Sequence, residues 1–246
     1  TADAITLARF GALDLRVETK PDLTPVSDAD QAVERELRRL VAAERPGDAV
    51  LGEEYGATGD GPRRWIVDPV DGTKNFVRGV PVWATLVALQ VDGEVAAGVV
   101  SAPMLGRRWW AARGSGTWTG PSRADARACR VSGVDALADA HLSYSSLTGW
   151  EERGRLPAFL DLTRRVWRTR AFGDFWSHVL VAEGAVDVST EPEVSLWDLA
   201  ALQVIVEEAG GRFSDLSGSP RPDGGSVLCS NGRLHEEVLA LLRDGG

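Results

Sequence analysis

Apolar positions recur along this chain with two different periods. Between about Asp28 and Glu44, Val33, Leu37, Leu40 and Val41 share one face at helical spacing. Ser27 or Asp28 stands ready as N-cap, and Pro46-Gly47 ends the element. The short apolar runs 49–51 and 65–67 read instead as buried strands. The first leads into Gly52-Glu53-Glu54 and the second stops at Asp68-Pro69. Runs 83–91 and 94–100 flank Asp92-Gly93, a two-residue hairpin signal, and 108–112 adds a further strand. The first half should therefore be a helix followed by mostly antiparallel sheet.

Beyond a boundary near 131–140 the pattern alternates. Strands are expected at 141–144, 186–188 and 227–229, and helices at 157–166, 175–183 and 196–209. A last helix, capped by Asn231, ends near Arg243. Such alternation predicts a layered α/β lobe. The expected organisation is an N-terminal α+β lobe over 1–135, carrying most of the metal ligands proposed below, and a C-terminal α/β lobe over 136–246.

Composition narrows the function classes. The 246 residues carry a net charge of −9, and Lys20 and Lys74 are the only lysines, which argues against a nucleic-acid partner. No apolar run has the length of a membrane span, and the N-terminal stretch lacks the layout of a signal peptide. Cys129 and Cys229 make no disulfide framework, so two reduced thiols in a cytoplasmic protein are expected.

The chemistry concentrates where a hydrophobic strand breaks into a turn. Asp68 and Asp71, with the Val70 carbonyl between them, offer hard oxygen donors with no adjacent His or Cys, a set that suits Mg²⁺ or Mn²⁺ better than Zn²⁺. Gly72 and Thr73 follow, with backbone N–H groups that can face an anion if the turn opens a helix. Asp-Pro-Val-Asp-Gly-Thr is equally good turn chemistry, and taken alone the two readings stand level. Glu53 and Glu54 follow a strand as a candidate pair or as two solvated glutamates. Asp198 either caps its own helix in Ser195-Leu196-Trp197-Asp198 or faces a metal. His178, between Phe175, Val179 and Val181, reads as a packed helix histidine, and His141 and His235 have no evident partner. With no Gly-x-Ser-x-Gly and no Walker loop, water is the expected nucleophile.

Together Gly52-Glu53-Glu54, the segment from Trp65 through Asp68-Pro69-Val70-Asp71-Gly72-Thr73 to Phe76, and Trp197-Asp198 with Glu207-Glu208-Ala209-Gly210-Gly211 resemble the inositol monophosphatase superfamily. Stretches 10–15, 20–26, 74–83 and 107–114 are similar to the actinobacterial-type histidinol-phosphate phosphatases. The resemblance implies a layered αβαβα sandwich and a site for up to three Mg²⁺ ions, with Mn²⁺ as a substitute. It implies Glu53, Asp68, the Val70 carbonyl, Asp71 and Asp198 as metal ligands. Asp30 and Thr73 would orient and deprotonate the attacking water, and Gly72 and Thr73 would hold the phosphate. Glu191 would meet the leaving group, with Asn75, Arg170 and Asp174 as further substrate contacts. Relatives of this kind are often homodimers.

The alcohol half of the substrate is a separate question. Asp174, followed by Phe175 and Trp176, stands where many inositol-phosphate enzymes carry small or hydroxylated residues. With Glu191 it complements the cationic amine and imidazole of L-histidinol phosphate, unless it merely caps its helix. Chiefly on the whole-chain resemblance, histidinol-phosphate hydrolysis is the expected activity. Inositol 1-phosphate or a broad range of sugar phosphates is the alternative. A bisphosphate phosphatase would need a further basic pocket, and a non-catalytic phosphate-binding protein would predict a broken ligand set.

Overall fold

The computed structural model describes residues 1–21 and 23–244. Asp22, inside the 20–26 stretch noted above, and the final two residues of the expected C-terminal lobe lie outside the described residues. Helix α1 (Ala2–Arg9) precedes the antiparallel pair β1 (Val17–Thr19) and β2 (Pro25–Ser27). Helix α2 (Asp28–Glu44) has the predicted span, and Ser27 is its cap, accepting from the Ala29 N–H at 3.2 Å.

The larger sheet holds β3 (Ala49–Gly52), β4 (Gly56–Thr58), β5 (Arg63–Asp71), β6 (Ala84–Val91), β7 (Glu94–Ala102), β8 (Arg107–Ala112), β9 (Thr117–Gly120) and β10 (Arg127–Ala128). Their order is β10-β9-β8-β7-β6-β5-β3-β4, antiparallel except where β3 meets β5. Asp92 and Gly93, both at positive φ, turn the β6–β7 hairpin as expected. Helix α3 (Thr73–Val77) opens directly after β5.

The second sheet, ordered β12-β11-β13-β15-β14, contains β11 (His141–Ser143), β12 (Arg168–Arg170), β13 (Val188–Glu191), β14 (Arg212–Ser214) and β15 (Val227–Ser230). Its helices are α4 (Thr148–Glu152), α5 (Leu156–Arg165), α6 (Asp174–Ala182), α7 (Leu196–Glu208) and α8 (His235–Asp244).

Five layers result. Helices α1 and α2 cover one face of the larger sheet. Helices α6 and α7 lie between the sheets, and α5 and α8 cover the far face of the smaller one. This is the expected αβαβα sandwich. Every residue from Leu199 to Val206 is buried, as a helix enclosed by two sheets requires, with Gln203 the one polar member. Gly98 permits the close approach, since a Cβ there would lie 2.8 Å from the Cα and carbonyl oxygen of Ala201.

Three expectations change. Strand β5 does not stop at Asp68-Pro69 but runs to Asp71. The register against β6 slips between Asp68 and Asp71, and at that irregularity Pro69 costs no ladder hydrogen bond. The strand expected at 186–188 begins at Val188, because Ala185 and Val186 still donate back to Leu180 in the turn that closes α6. Asn231 does not cap α8. Its Oδ1 accepts from the N–H groups of Arg233 and Leu234, closing a turn before the helix starts at His235.

Candidate active site

The slip in β5 turns Asp68 and Asp71 toward one point. Asp68 Oδ1 accepts from the Val70 N–H at 3.0 Å, holding the turn, while the Val70 side chain is buried with Ala29, Phe76 and Trp83. Asp198 arrives in the first turn of α7, the helix between the two sheets, where its Oδ2 accepts from the Ser195 N–H at 2.7 Å. It therefore caps its helix and faces the site at once. Oxygens of Asp68, Asp71 and Asp198 lie within 4.8 Å of one another. Asp71 Oδ2 also accepts from the Phe175 N–H at 2.5 Å, tying the start of α6 to the same cluster.

Burial first, then the neighbouring carboxylates, pushes Asp68 and Asp71 well above the usual carboxylate range and Asp198 up to about 7. Crowded, buried carboxylates of this kind are stable as anions only beside a cation. An all-oxygen donor set fits a hard divalent ion.

Helix α2 supplies the next residues. Asp30 is fully buried, and its Oδ2 accepts from the backbone N–H and the hydroxyl of Ser27 at 2.8 and 2.5 Å. That leaves Oδ1 for the Thr73 hydroxyl at 3.1 Å, which lies 2.9 Å from the Val70 carbonyl as well. Burial raises the pKa of Asp30. One turn on, the buried Glu34 accepts from the N–H groups of Glu54 and Tyr55 at 2.7 and 3.1 Å and so fixes the Glu53 turn. Gly52 leaves room for it, because a Cβ there would collide with the Glu34 carboxylate. Glu53 and Glu54 both take Lys20 Nζ at 2.7 Å, so the Glu53 carboxylate stands beside the three-aspartate cluster rather than within it.

Gly72, at φ +85°, is the turn into α3. A Cβ there would lie 3.1 Å from the Val82 carbonyl oxygen and 3.3 Å from Asp174 Oδ2. Asn75 Nδ2 spans the same two groups, at 2.9 and 3.2 Å. Asp174 begins α6 at φ +49°, a conformation uncommon outside glycine, and burial followed by Glu191 pushes it up to about 6. Arg170 is not brought to these residues. It is exposed at the end of β12 and donates to the Thr169 carbonyl.

This arrangement can be compared with known proteins. The inositol monophosphatase family model matches residues 2–246. The chain belongs to the inositol monophosphatase family.

Within that family it is 59% identical to the histidinol-phosphatase of Streptomyces coelicolor, over 98% of this chain and 92% of the relative. It is 58% identical to the histidinol-phosphatase of Mycobacterium tuberculosis, over 99% and 94%. Among solved structures, the extragenic suppressor protein SuhB of Bartonella henselae superposes with a TM-score of 0.90 at 29% identity, covering 100% of this chain and 95% of that one.

Two residues of this family member escaped the sequence reading. Glu34 looked like one more helix glutamate, though its i, i+4 spacing from Asp30 places both on one face of α2. His178 is packed as expected, but it also holds Glu191, with Nε2 3.1 Å from Oε1. The other two histidines have structural roles. His235 is buried between the Ser214 and Ser230 hydroxyls at 2.9 Å, and burial lowers its pKa to about 4; His141 Nδ1 meets the Ala185 carbonyl.

Proposed function

We propose that this chain is a Mg²⁺-dependent phosphomonoesterase that hydrolyses L-histidinol phosphate to L-histidinol and phosphate, a step of histidine biosynthesis. The observation that carries the reading is the joining of the Asp68–Asp71–Asp198 cluster to near-full-length similarity with two histidinol-phosphatases. Glu53, Asp68, the Val70 carbonyl, Asp71 and Asp198 would hold up to three ions. When bound, Mg²⁺ supplies positive charge that offsets the phosphate and acidifies water.

The protein's own residues do the rest. Asp30 is fixed by Ser27, so only Oδ1 is left to take a proton from Thr73. The attacking water gives its proton to the Thr73 oxygen while the Thr73 proton passes to Asp30; as hydroxide adds to phosphorus the P–O bond to the histidinol oxygen breaks, and that oxygen takes a proton from solvent. The N–H groups at Gly72 and Thr73, at the start of α3, hold the phosphoryl oxygens. Asp174 and Glu191 receive the cationic alcohol half, which an inositol ring would meet with hydroxyls alone.

Cys129 and Cys229 are free and buried, which suits a reducing cytoplasm. Among the described residues no helix is long and apolar enough to cross a membrane. Phosphate release from L-histidinol phosphate, measured with Mg²⁺ and after chelation, tests the proposal. No release with Mg²⁺ present, or full release after chelation, would refute it.

A further inference from the structure

Helix α6 joins the two ends of the site. Its first residue is Asp174, the N–H of its second residue binds Asp71, and one turn further along the same face stands His178. The phosphate chemistry gives His178 no task, yet it is almost wholly buried and both its ring nitrogens are engaged. Nδ1 is 2.8 Å from the Ser189 hydroxyl and Nε2 is 3.1 Å from Glu191 Oε1. Glu191 is itself mostly buried, at the end of β13.

Resting on the histidinol-phosphate reading, we infer that His178 is a positioning residue. It fixes the Glu191 carboxylate in the orientation from which Glu191, together with Asp174, selects a phosphate ester whose alcohol half is cationic. The geometry requires this hold. A carboxylate as enclosed as Glu191, near Asp174, Asp71 and Asp198, would turn away without a donor of its own. A carboxylate turned away offers an ammonium group no ion pair. The groups facing the imidazole are Glu191 and Ser189 from β13, Cys229 from β15 and Asp174 from its own helix. Burial opposes the imidazolium, but Cys229 and Glu191 outweigh it and raise the pKa of His178 to about 10. Both nitrogens then donate, to Ser189 and to Glu191. Because the side chain is anchored at Ser189 as well, it cannot follow Glu191 into another rotamer.

The test separates the two contacts. Asparagine can reach Ser189 as Nδ1 does but falls short of Glu191, whereas glutamine spans to Glu191. With the full-length Mg²⁺-loaded enzyme, His178→Asn should raise KM for L-histidinol phosphate by about tenfold. KM for inositol 1-phosphate should stay within about twofold, and the loss should fall on KM rather than kcat. His178→Gln should recover most of the difference. In His178→Asn/Glu191→Gln the KM should match that of Glu191→Gln alone, because His178 acts only through Glu191. Equal losses on both esters, no loss in His178→Asn, or additive losses in the double variant would overturn the inference. Failure of the functional reading shows separately, as a wild-type enzyme with no preference for L-histidinol phosphate.

Discussion

In the proposed reading the phosphate end of the site and the alcohol end are both built from buried or half-buried carboxylates, yet they offset that charge differently. At the phosphate end Asp68, Asp71 and Asp198 crowd together with no protein cation among them in the described residues, and Lys20 reaches Glu53 and Glu54 beside them. At the alcohol end Glu191 has a protein partner in His178, while Asp174 is bound to neutral Asn75. Under the proposed function, charge left for a metal would drive turnover, whereas charge held by a histidine and an amide would serve to recognise substrate. The two ends should therefore fail in different kinetic parameters.

The largest expected effect is at the phosphate end. Asp71→Asn and Asp198→Asn should each lower kcat by on the order of 10³-fold on every ester tested, with an unchanged circular-dichroism spectrum. Normal turnover in either variant would remove that residue from the ligand set. Thr73→Ala should cost about 10²-fold in kcat, because Asp30 loses the hydroxyl that would relay the proton in the proposed reaction. Steady-state rates at saturating substrate would show it, and an effect confined to KM would make Thr73 a binding residue instead.

At the alcohol end, Asp174→Ser should raise KM for L-histidinol phosphate by about tenfold and leave inositol 1-phosphate nearly unaffected. If the two esters change in parallel, the ends are not separable. The smallest effect should follow Ser27→Ala, which removes the α2 cap and one of the two hydrogen bonds on Asp30 Oδ2. About 1 kcal/mol of stability should be lost, read from chemical denaturation.

The ends also differ in how far they can be read from sequence. Helix α2 and the Asp92-Gly93 hairpin are legible because periodicity, cap and turn residues agree locally. The Asp68–Thr73 turn is legible as chemistry but not as geometry. Proline ordinarily ends a strand, and only pairing with β6 shows that the chain continues through a slip in register. Asp198 and Asp68 are 130 positions apart, and nothing local says that α7 lies between two sheets. His178 was hidden for the same reason. Among Phe175, Val179 and Val181 it looks like core, and its partner Glu191 belongs to a strand that joins it only in the folded protein. Helix α1 went unread because eight residues with one fully buried position carry too little periodicity.

The most direct test is a side-by-side measurement of kcat/KM for L-histidinol phosphate and inositol 1-phosphate on the wild-type enzyme with saturating Mg²⁺. A site with Asp174 and Glu191 held for a cationic alcohol should favour L-histidinol phosphate by at least about tenfold. Equal or better efficiency on inositol 1-phosphate would contradict it.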